Sequence, residues 1–289
     1  MTTLSPTADP STSRNRPRAG APDRLGVTFP RVVASEWIKF RTVRAAAWTL
    51  PITALLMVGL AFLSAWGTSQ LPADGDFMTP SAATLVTNGW LLAQLAVAVL
   101  AVLTITGEYG TGMVRSTFAA NPKRLASLGA KALVLAVTVA ATSAIALALA
   151  WLAVQPFASD LDLALDLADG ETVRILLGTV LYLATIAVFA FAIGALLRHS
   201  AGAIAVVVGL LLVVDQVLPN LPLRFFEVTS PFLPSVAGTR LLYDADTLAL
   251  IDAGRDTVNL TPWEGYGVLA LWTVLLLVAA AVLVRRRDA

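Results

Sequence analysis

The chain has 289 residues, of which 57% are hydrophobic and 13% charged, and its formal net charge is +1. Because an average soluble domain carries about a quarter charged residues, this composition excludes an ordinary water-soluble fold and makes lipid the solvent for much of the surface. With no cysteine and one histidine, His199, the chain offers neither disulfides, nor thiolate chemistry, nor a multi-histidine metal site. We therefore predict that this chain itself holds no metal and no cofactor.

Residues 1–30 differ in composition from everything that follows. They are rich in Pro, Ser, Thr and Arg, and they lack the apolar stretch of a secretory signal. Such a segment cannot bury enough apolar area to offset the entropy of ordering, so we predict a disordered cytoplasmic tail followed by one membrane domain over 31–289. A soluble basic tail is the simpler interpretation than a nucleic-acid-binding arm, and we predict no nucleic-acid partner.

The segment RVVASEWIKFRTVR, directly before the first long apolar run, is amphipathic. Val33, Trp37 and Phe40 share one face of a helix, although Glu36 intrudes on that face. Tryptophan with flanking basic residues suits a helix lying in the lipid headgroup region. The alternative is that the segment only anchors the first span.

Six apolar runs are long enough to cross a bilayer, which takes about 20 helical residues for ~30 Å of hydrocarbon. They predict an all-α polytopic membrane protein with spans at about 46–66, 85–106, 132–154, 175–197, 201–218 and 266–284. Three residues separate the fourth span from the fifth, so we predict a tight antiparallel hairpin there. The alternative is one long kinked helix.

Basic residues are distributed unevenly between the two sides of this predicted topology. Sixteen of the 20 lysines and arginines fall in segments that lie on the same side as the N-terminus, whereas acidic residues concentrate in 155–174. The positive-inside rule then places both termini in the cytoplasm of a multi-pass cell-membrane protein. The outer segment 219–265 contains closely spaced prolines, which predict short helices at the outer interface or dipping partway into the membrane.

The segment 107–131, GEYGTGMVRSTFAANPKRLASLGAK, follows the second span. Its glycines predict a break in the membrane helix, and 111–120 then forms a short helix that Asn121 and Pro122 terminate. Met113, Val114 and Phe118 offer apolar anchors, with Arg115 beside them. The segment is either an ordinary basic loop or a docking helix for a soluble partner; a phosphate-binding loop is excluded because no Gly-Lys-Ser/Thr follows.

Few polar side chains fall within the predicted spans. Intramembrane polar groups are costly unless they are paired or wet, so each is a candidate functional residue. We select Asn88, Gln94, Asp215 and Gln216 as candidates for a substrate path. Asp215 also has a simple structural explanation, because near the outer interface it could reach water.

Four segments in this order resemble the type 2 ABC exporter permeases of actinobacteria. The first two are SEWIKFRTVR and ITGEYGTGMVRSTFAANPKR, and the other two are PFLPSVAGTRLL and LTPWEGYGVLALW with the terminal RRRDA. The resemblance implies a six-helix subunit that dimerises and binds two copies of a separate ATPase. It also implies a coupling helix over 109–120 that includes Tyr109, an interfacial helix over 32–44, and outer re-entrant helices over 218–242.

The predicted function is therefore the permease subunit of an ATP-driven exporter, most simply a homodimer. Nothing in the chain resembles a Walker A loop, so we predict that it is not an enzyme, and that the partner ATPase binds ATP and Mg. The alternative is a non-transporting membrane protein, such as an immunity factor or a scaffold. A secondary carrier or channel is a third class, but it would want ionisable groups at mid-membrane, and Asp215 is the only acid in any predicted span. The apolar spans favour an amphipathic drug, peptide or lipid over a sugar or ion as cargo.

Overall fold

The structure is a computed structural model, and it describes residues 28–71, 80–110, 124–158, 164–221, 223–253 and 258–287. All regular secondary structure in these ranges is helical. Five helices are long and apolar enough to cross a membrane: Arg44–Ser69, Ala82–Tyr109, Leu125–Phe157, Gly170–Leu197 and Pro262–Arg286. The prediction of an all-helical, membrane-embedded protein is confirmed at this level.

Within the described ranges, the first part of the chain forms four long helices and two shorter ones. They are α1 (Phe29–Thr42), α2 (Arg44–Ser69), α3 (Ala82–Thr87), α4 (Trp90–Gly110), α5 (Arg124–Ala158) and α6 (Gly170–Leu197). The two shorter ones are α1 and α3.

After α6 the helices become short and irregular until the last one. Helix α7 (Ser200–Val208) continues as a π-helix (Gly209–Val214), then as α8 (Asp215–Val217) and a 3-10 turn (Leu218–Asn220). The short helices α9 (Arg224–Thr229), α10 (Pro234–Thr239) and α11 (Ala245–Ala253) follow, with 3-10 turns at Ser230–Phe232 and Arg240–Leu242. Helix α12 (Pro262–Arg287) ends the described chain.

Helix α1 is separate from the first long helix. It ends at Thr42, and Val43 has extended backbone angles (φ −76°, ψ 116°), so the chain changes direction before α2 begins. The buried side of α1 carries Val32, Glu36 and Phe40, which are four residues apart and therefore stack along one helical face. That face packs against α5.

Helices α4 and α6 form the centre of the bundle. Over their most apolar windows 56% and 61% of residues are buried, against 22% for both α2 and α12, so the last two are peripheral. Helix α2 packs on α4 and α5, and α12 packs on α6. The largest fully buried side chains, Tyr182, Phe189 and Phe191, all belong to α6.

In the structure, the helical segment that contains the second predicted span extends from Ala82 to Tyr109 and has one break. A turn at Asn88 and Gly89 separates α3 from α4, and a Cβ on Gly89 would overlap the backbone of Met57 in α2. The helix then continues through Gly107 to Gly110. The predicted break at Gly107 is therefore wrong, because a helix interior accommodates glycine at a cost of only about 1 kcal/mol relative to alanine.

The helix ends gather at two opposite ends of the bundle. We call one the Lys131 end, where Lys131 of α5 contacts Glu108 of α4. We call the other the Tyr243 end, where the Thr84 hydroxyl before α4 donates to Asp244 Oδ2 at 3.0 Å, next to Tyr243.

The connection after α6 is a tight reversal. Arg198 ends α6 with a left-handed φ of 55°, and His199 Nδ1 accepts the Gly202 N–H at 3.0 Å to cap α7. Helix α7 then runs back along α4 and α6: Ser200 Oγ lies 2.9 Å from Thr106 Oγ1 at the Lys131 end, and the chain later reaches the level of Tyr182. One long kinked helix, the alternative to a hairpin, is thus not what forms.

The predicted fifth span is not a full-length membrane helix in the structure. Only Ser200–Val214 qualifies, as a shorter apolar helix, so the described residues contain five candidate spans where we predicted six. The stretch from α7 to α8 begins beside Thr106 of α4 and ends near Gln94 of the same helix. Thr106 and Gln94 are twelve residues apart, so the stretch extends about 18 Å along the bundle. That is less than the ~30 Å of a hydrocarbon core.

Candidate functional site

Four fully or almost fully buried polar residues form a continuous hydrogen-bonded chain inside the bundle. Tyr182 Oη donates to Gln94 Oε1 at 2.6 Å and lies 3.0 Å from Ser235 Oγ. Because the phenol has one hydrogen, which Gln94 accepts, the Ser235 hydroxyl is the donor to Tyr182. The Ser235 N–H donates to Asp215 Oδ2 at 3.0 Å. We call Gln94, Tyr182, Ser235 and Asp215 the polar chain; none is more than 2% exposed.

Glycines let the short helix α10 reach the polar chain. A Cβ on Gly238 would lie 2.6 Å from Leu269 Cδ2 and 3.0 Å from the Tyr182 ring, and a Cβ on Gly265 of α12 would overlap the Ala237 carbonyl. Side chains at these positions would push α10 out from between α6 and α12. Trp90 completes the enclosure, edge-on to the Tyr182 ring at 5.9 Å.

Two atoms of the polar chain have no hydrogen-bond partner among the described residues. They are Gln94 Nε2, a donor, and Asp215 Oδ1, an acceptor. A π-helix ends directly before Asp215, whose N–H bonds to the Leu210 carbonyl, and such segments occur frequently at functional sites. Burial of polar atoms that lack hydrogen-bond partners costs free energy. Gln94 Nε2 and Asp215 Oδ1 could therefore form hydrogen bonds with an additional polar group.

The structure joins two of the four residues predicted to line a substrate path. Gln94 and Asp215 are linked through Tyr182 and Ser235, whereas Asn88 lies on the surface, where its amide contacts Ser64 of α2. The Gln216 side chain is outside the described part of the structure. The structural explanation for Asp215, that it reaches water, is wrong: it is 2% exposed, because α10 covers it.

Sequence reasoning missed Tyr182 and Ser235. For Tyr182 a signal was available, because it is the one tyrosine within the apolar run 175–197. Ser235 had no comparable signal, since its position depends on α10 packing against α6 and α12.

A second polar assembly lies at the Lys131 end. Lys39 Nζ lies 2.8 Å from Glu36 Oε1, Lys131 Nζ lies 3.3 Å from Glu36 Oε2, and Lys131 also contacts Glu108. Charges therefore alternate along Lys39, Glu36, Lys131 and Glu108, which we call the ion-pair row. Glu36 is 3% and Lys131 8% exposed, so their charges compensate each other in a largely buried place.

The predicted interfacial residues are placed differently from one another. Phe40 is buried and Val33 half-buried, but Trp37 is 42% exposed. Glu36 takes the buried position that the apolar pattern suggested for Trp37, because Lys39 and Lys131 neutralise it there.

Of the predicted coupling residues the structure describes only Tyr109. It is half-buried, and the Arg198 guanidinium carbon lies 5.0 Å from the centre of its ring, a cation–π contact. Met113, Val114, Arg115 and Phe118 lie outside the described residues, and so does the predicted short helix 111–120.

The Tyr243 end is held by hydrogen bonds to backbone groups and by one bidentate ion pair. Arg174 of α6 donates to the carbonyls of Leu241 (3.1 Å) and Tyr243 (2.9 Å), and Arg240 pairs with Asp252 through both Nη atoms at 2.8 and 2.7 Å. Partial burial raises the pKa of Asp244, but hydrogen bonds from Thr247 and Thr84 outweigh it and hold that pKa below its usual value. Burial raises the pKa of Tyr243.

Comparison with known proteins adds no assignment. A scan against protein-family models and a search of curated proteins both find no match. Among the described residues no group of three or more His, Asp or Glu side chains could hold a metal ion. The functional assignment therefore rests on the helical architecture, the polar chain and the ion-pair row.

Proposed function

We propose that this chain is the membrane-spanning permease subunit of an ATP-driven exporter, acting as a dimer with two copies of a separate ATPase. Five apolar helices of membrane-crossing length support a membrane-embedded role. The four segments that resemble type 2 ABC exporter permeases support the transporter class. Two of those segments contain three of the four residues of the ion-pair row, namely Glu36, Lys39 and Glu108.

The observation that carries the proposal is the connection between α1, α4 and α5. Residues 111–123 join the end of α4 to the start of α5, and Lys131 ties both helices together through Glu108. Glu36 adds α1 to the same unit through Lys131. A force that a partner ATPase applied to 111–123 would therefore move three helices together, which is what coupling requires.

In this proposal the Lys131 end faces the cytoplasm, in keeping with its excess of basic residues. The short helices then dip into the membrane from the outer side. Trp272, ten residues into α12, donates to the Phe232 carbonyl at 3.0 Å, so this part of the segment lies about 15 Å below the start of α12. That depth is about half of a hydrocarbon core.

In this proposal, two separate parts of the chain together form the sixth crossing. The stretch from α7 to α8 covers the cytoplasmic part, and the chain returns to the outer surface through α10 and the turn Arg240–Leu242. The polar chain sits where these two parts meet, since Asp215 of α8 accepts from Ser235 of α10. Gln94 and Asp215 would then present their unmatched atoms to a polar group of an amphipathic cargo.

The decisive experiment purifies the full chain in a mild detergent from its native membrane, with and without Phe118→Ala. We expect two copies each of permease and ATPase for the wild type, with ATP hydrolysis that responds to transport. Truncation of Phe118 should remove the ATPase, because buried aromatic anchors carry much of an interface's energy, about 1–3 kcal/mol here.

The matched control is Phe225→Ala, since Phe225 is 70% exposed and belongs to α9, which this proposal places toward the outer side. That variant should keep the ATPase. If no ATPase accompanies the wild-type chain, or if Phe118→Ala keeps full coupled hydrolysis, the proposal is wrong and a scaffold or immunity role takes its place.

Topology gives an independent test. A reporter fused after residue 289 should be cytoplasmic, and reporters inserted near Asp166 or Asp252 should be outside. A reporter found outside at the C-terminus would contradict the orientation.

A further inference from the structure

A cavity opens beside the ion-pair row at the Lys131 end. Its volume is about 290 Å³, close to the lower limit of about 300 Å³ for pockets that hold small ligands. Phe40, Val43, Leu103 and Val134 form apolar walls. All four residues of the ion-pair row also line it. The cavity is thus amphipathic, with one charged side and several apolar ones.

Among the described residues, the charges that line this cavity sum to zero. Glu36 and Glu108 are balanced by Lys39 and Lys131, and ion pairs join them in alternating order. A ligand with a net charge would leave one charge uncompensated in a half-buried place, which is unfavourable. A zwitterion adds no net charge, and it can place each of its own charges against the opposite charge of the row.

The apolar walls add a second requirement. Leu103 and Val134 lie about one turn further into the bundle than Glu108 and Lys131, so the cavity reaches from the charged level toward the apolar layer. An acyl chain can lie along these walls while the headgroup stays at the ion-pair row. A cavity of this size accommodates a headgroup and the start of its chains, not a whole lipid.

We propose that this cavity binds the headgroup of an aminophospholipid, with its phosphate beside Lys39 and its primary ammonium beside the carboxylates of the row. Lys39 suits the phosphate because its side chain is 34% exposed, at the open side of the row. A primary ammonium donates hydrogen bonds to carboxylates, whereas a quaternary one cannot. The site does not depend on transport, so its test is separate from that of the proposed function.

The test uses the full chain in detergent, titrated with phosphatidylethanolamine, phosphatidylcholine or phosphatidylglycerol and followed by native mass spectrometry. We expect one phosphatidylethanolamine per chain, bound about tenfold more tightly than the other two, a difference of about 1.4 kcal/mol. Equal affinity for the three lipids would overturn the proposal.

Variants locate the binding. Leu103→Trp should fill the cavity and weaken phosphatidylethanolamine binding about tenfold, while Leu92→Trp, on the same helix but lipid-exposed and away from the cavity, should leave it unchanged. If Leu103→Trp fails to fold, Gly107→Leu serves instead, because a Cβ at Gly107 meets no atom within 4 Å. Unchanged binding in the folded cavity variant would overturn the proposal.

The same ligand chemistry could come from a membrane lipid or from a soluble headgroup compound. Competition with glycerophosphoethanolamine separates the two sources. If it displaces the lipid, the charged row alone recognises the ligand; if it does not, the site recognises the membrane lipid with its chains. Lys39→Gln should weaken binding in either case, and full retention by that variant would contradict the placement of the phosphate.

Discussion

The two ends of the bundle are held together by different kinds of contact. At the Lys131 end, alternating charges from α1, α4 and α5 compensate each other. Toward the Tyr243 end, the Arg240–Asp252 ion pair is accompanied by close glycine contacts, by backbone carbonyls that accept from Arg174, and by the hydroxyl of Tyr182. We therefore expect the first end to respond mainly to changes of charge, and the second to changes of shape and hydrogen bonding as well.

The largest effect is expected from Lys131→Met. Loss of the shared ammonium leaves Glu36 and Glu108 near one another with one cation fewer, and breaking a buried ion pair costs about 3–5 kcal/mol of the free energy of unfolding. Denaturant unfolding in detergent measures the loss. Adding Glu108→Gln should restore part of it, and an unchanged midpoint in the single variant would show that charge does not hold this end.

Gly265→Ala tests shape at the other end. The new methyl group would overlap the Ala237 carbonyl and displace α10, and overpacking of this kind costs about 1–3 kcal/mol. The control is Gly267→Ala in the same helix, where a Cβ meets no atom within 4 Å. The control should be neutral or slightly stabilising in the same unfolding measurement, and equal losses in both variants would refute the steric explanation.

Tyr182→Phe tests hydrogen bonding in the polar chain. It removes the donor to Gln94 Oε1 and the acceptor for Ser235 Oγ, and a buried group left unsatisfied costs about 1–3 kcal/mol. We expect a value in the lower half of that range, because the ring itself remains packed against Trp90. The double variant Tyr182→Phe/Gln94→Leu should recover part of the stability, since the Tyr182–Gln94 pair is then apolar and only the Ser235 hydroxyl lacks its partner. A further loss would mean that Gln94 has another role.

The smallest effect is expected from Asp244→Ala, and it depends on pH. Asp244 caps α11 by accepting the Thr247 N–H at 2.8 Å, and loss of a cap costs about 1 kcal/mol. Its pKa is lowered in the folded state, so its stabilisation is present above the unfolded value of about 3.9 and is lost as pH falls through the folded pKa.

Unfolding of wild type and Asp244→Ala should therefore differ at pH 7 and converge at acidic pH. A difference between wild type and Asp244→Ala that persists unchanged into strong acid would contradict the assignment of this stabilisation to the carboxylate.

Much of the fold follows from local composition. Each of the five long helices contains a predicted span, because about 20 consecutive apolar residues in lipid must form a helix to satisfy their own backbone. The sequence favoured a hairpin at Arg198 over one long kinked helix, and the left-handed φ of 55° at Arg198 confirms it. The segment after Ser200 has the same apolar composition, yet its regular helix gives way to a π-helix that ends directly before Asp215, whose Oδ2 accepts the Ser235 N–H.

Hydropathy along the chain was enough to predict the five helices that are long and apolar enough to cross a membrane, and to select Gln94 and Asp215 as polar residues within apolar runs. Only the tertiary structure decided which of those residues meet. Gln94 and Asp215 are joined by Tyr182 and Ser235 because glycines let α10 enter the bundle, and Glu36 is buried because lysines from its own helix and from α5 neutralise it. Contacts between residues 20 to 95 positions apart leave no periodic signal in a single sequence, since each partner alone has the composition of an ordinary helix.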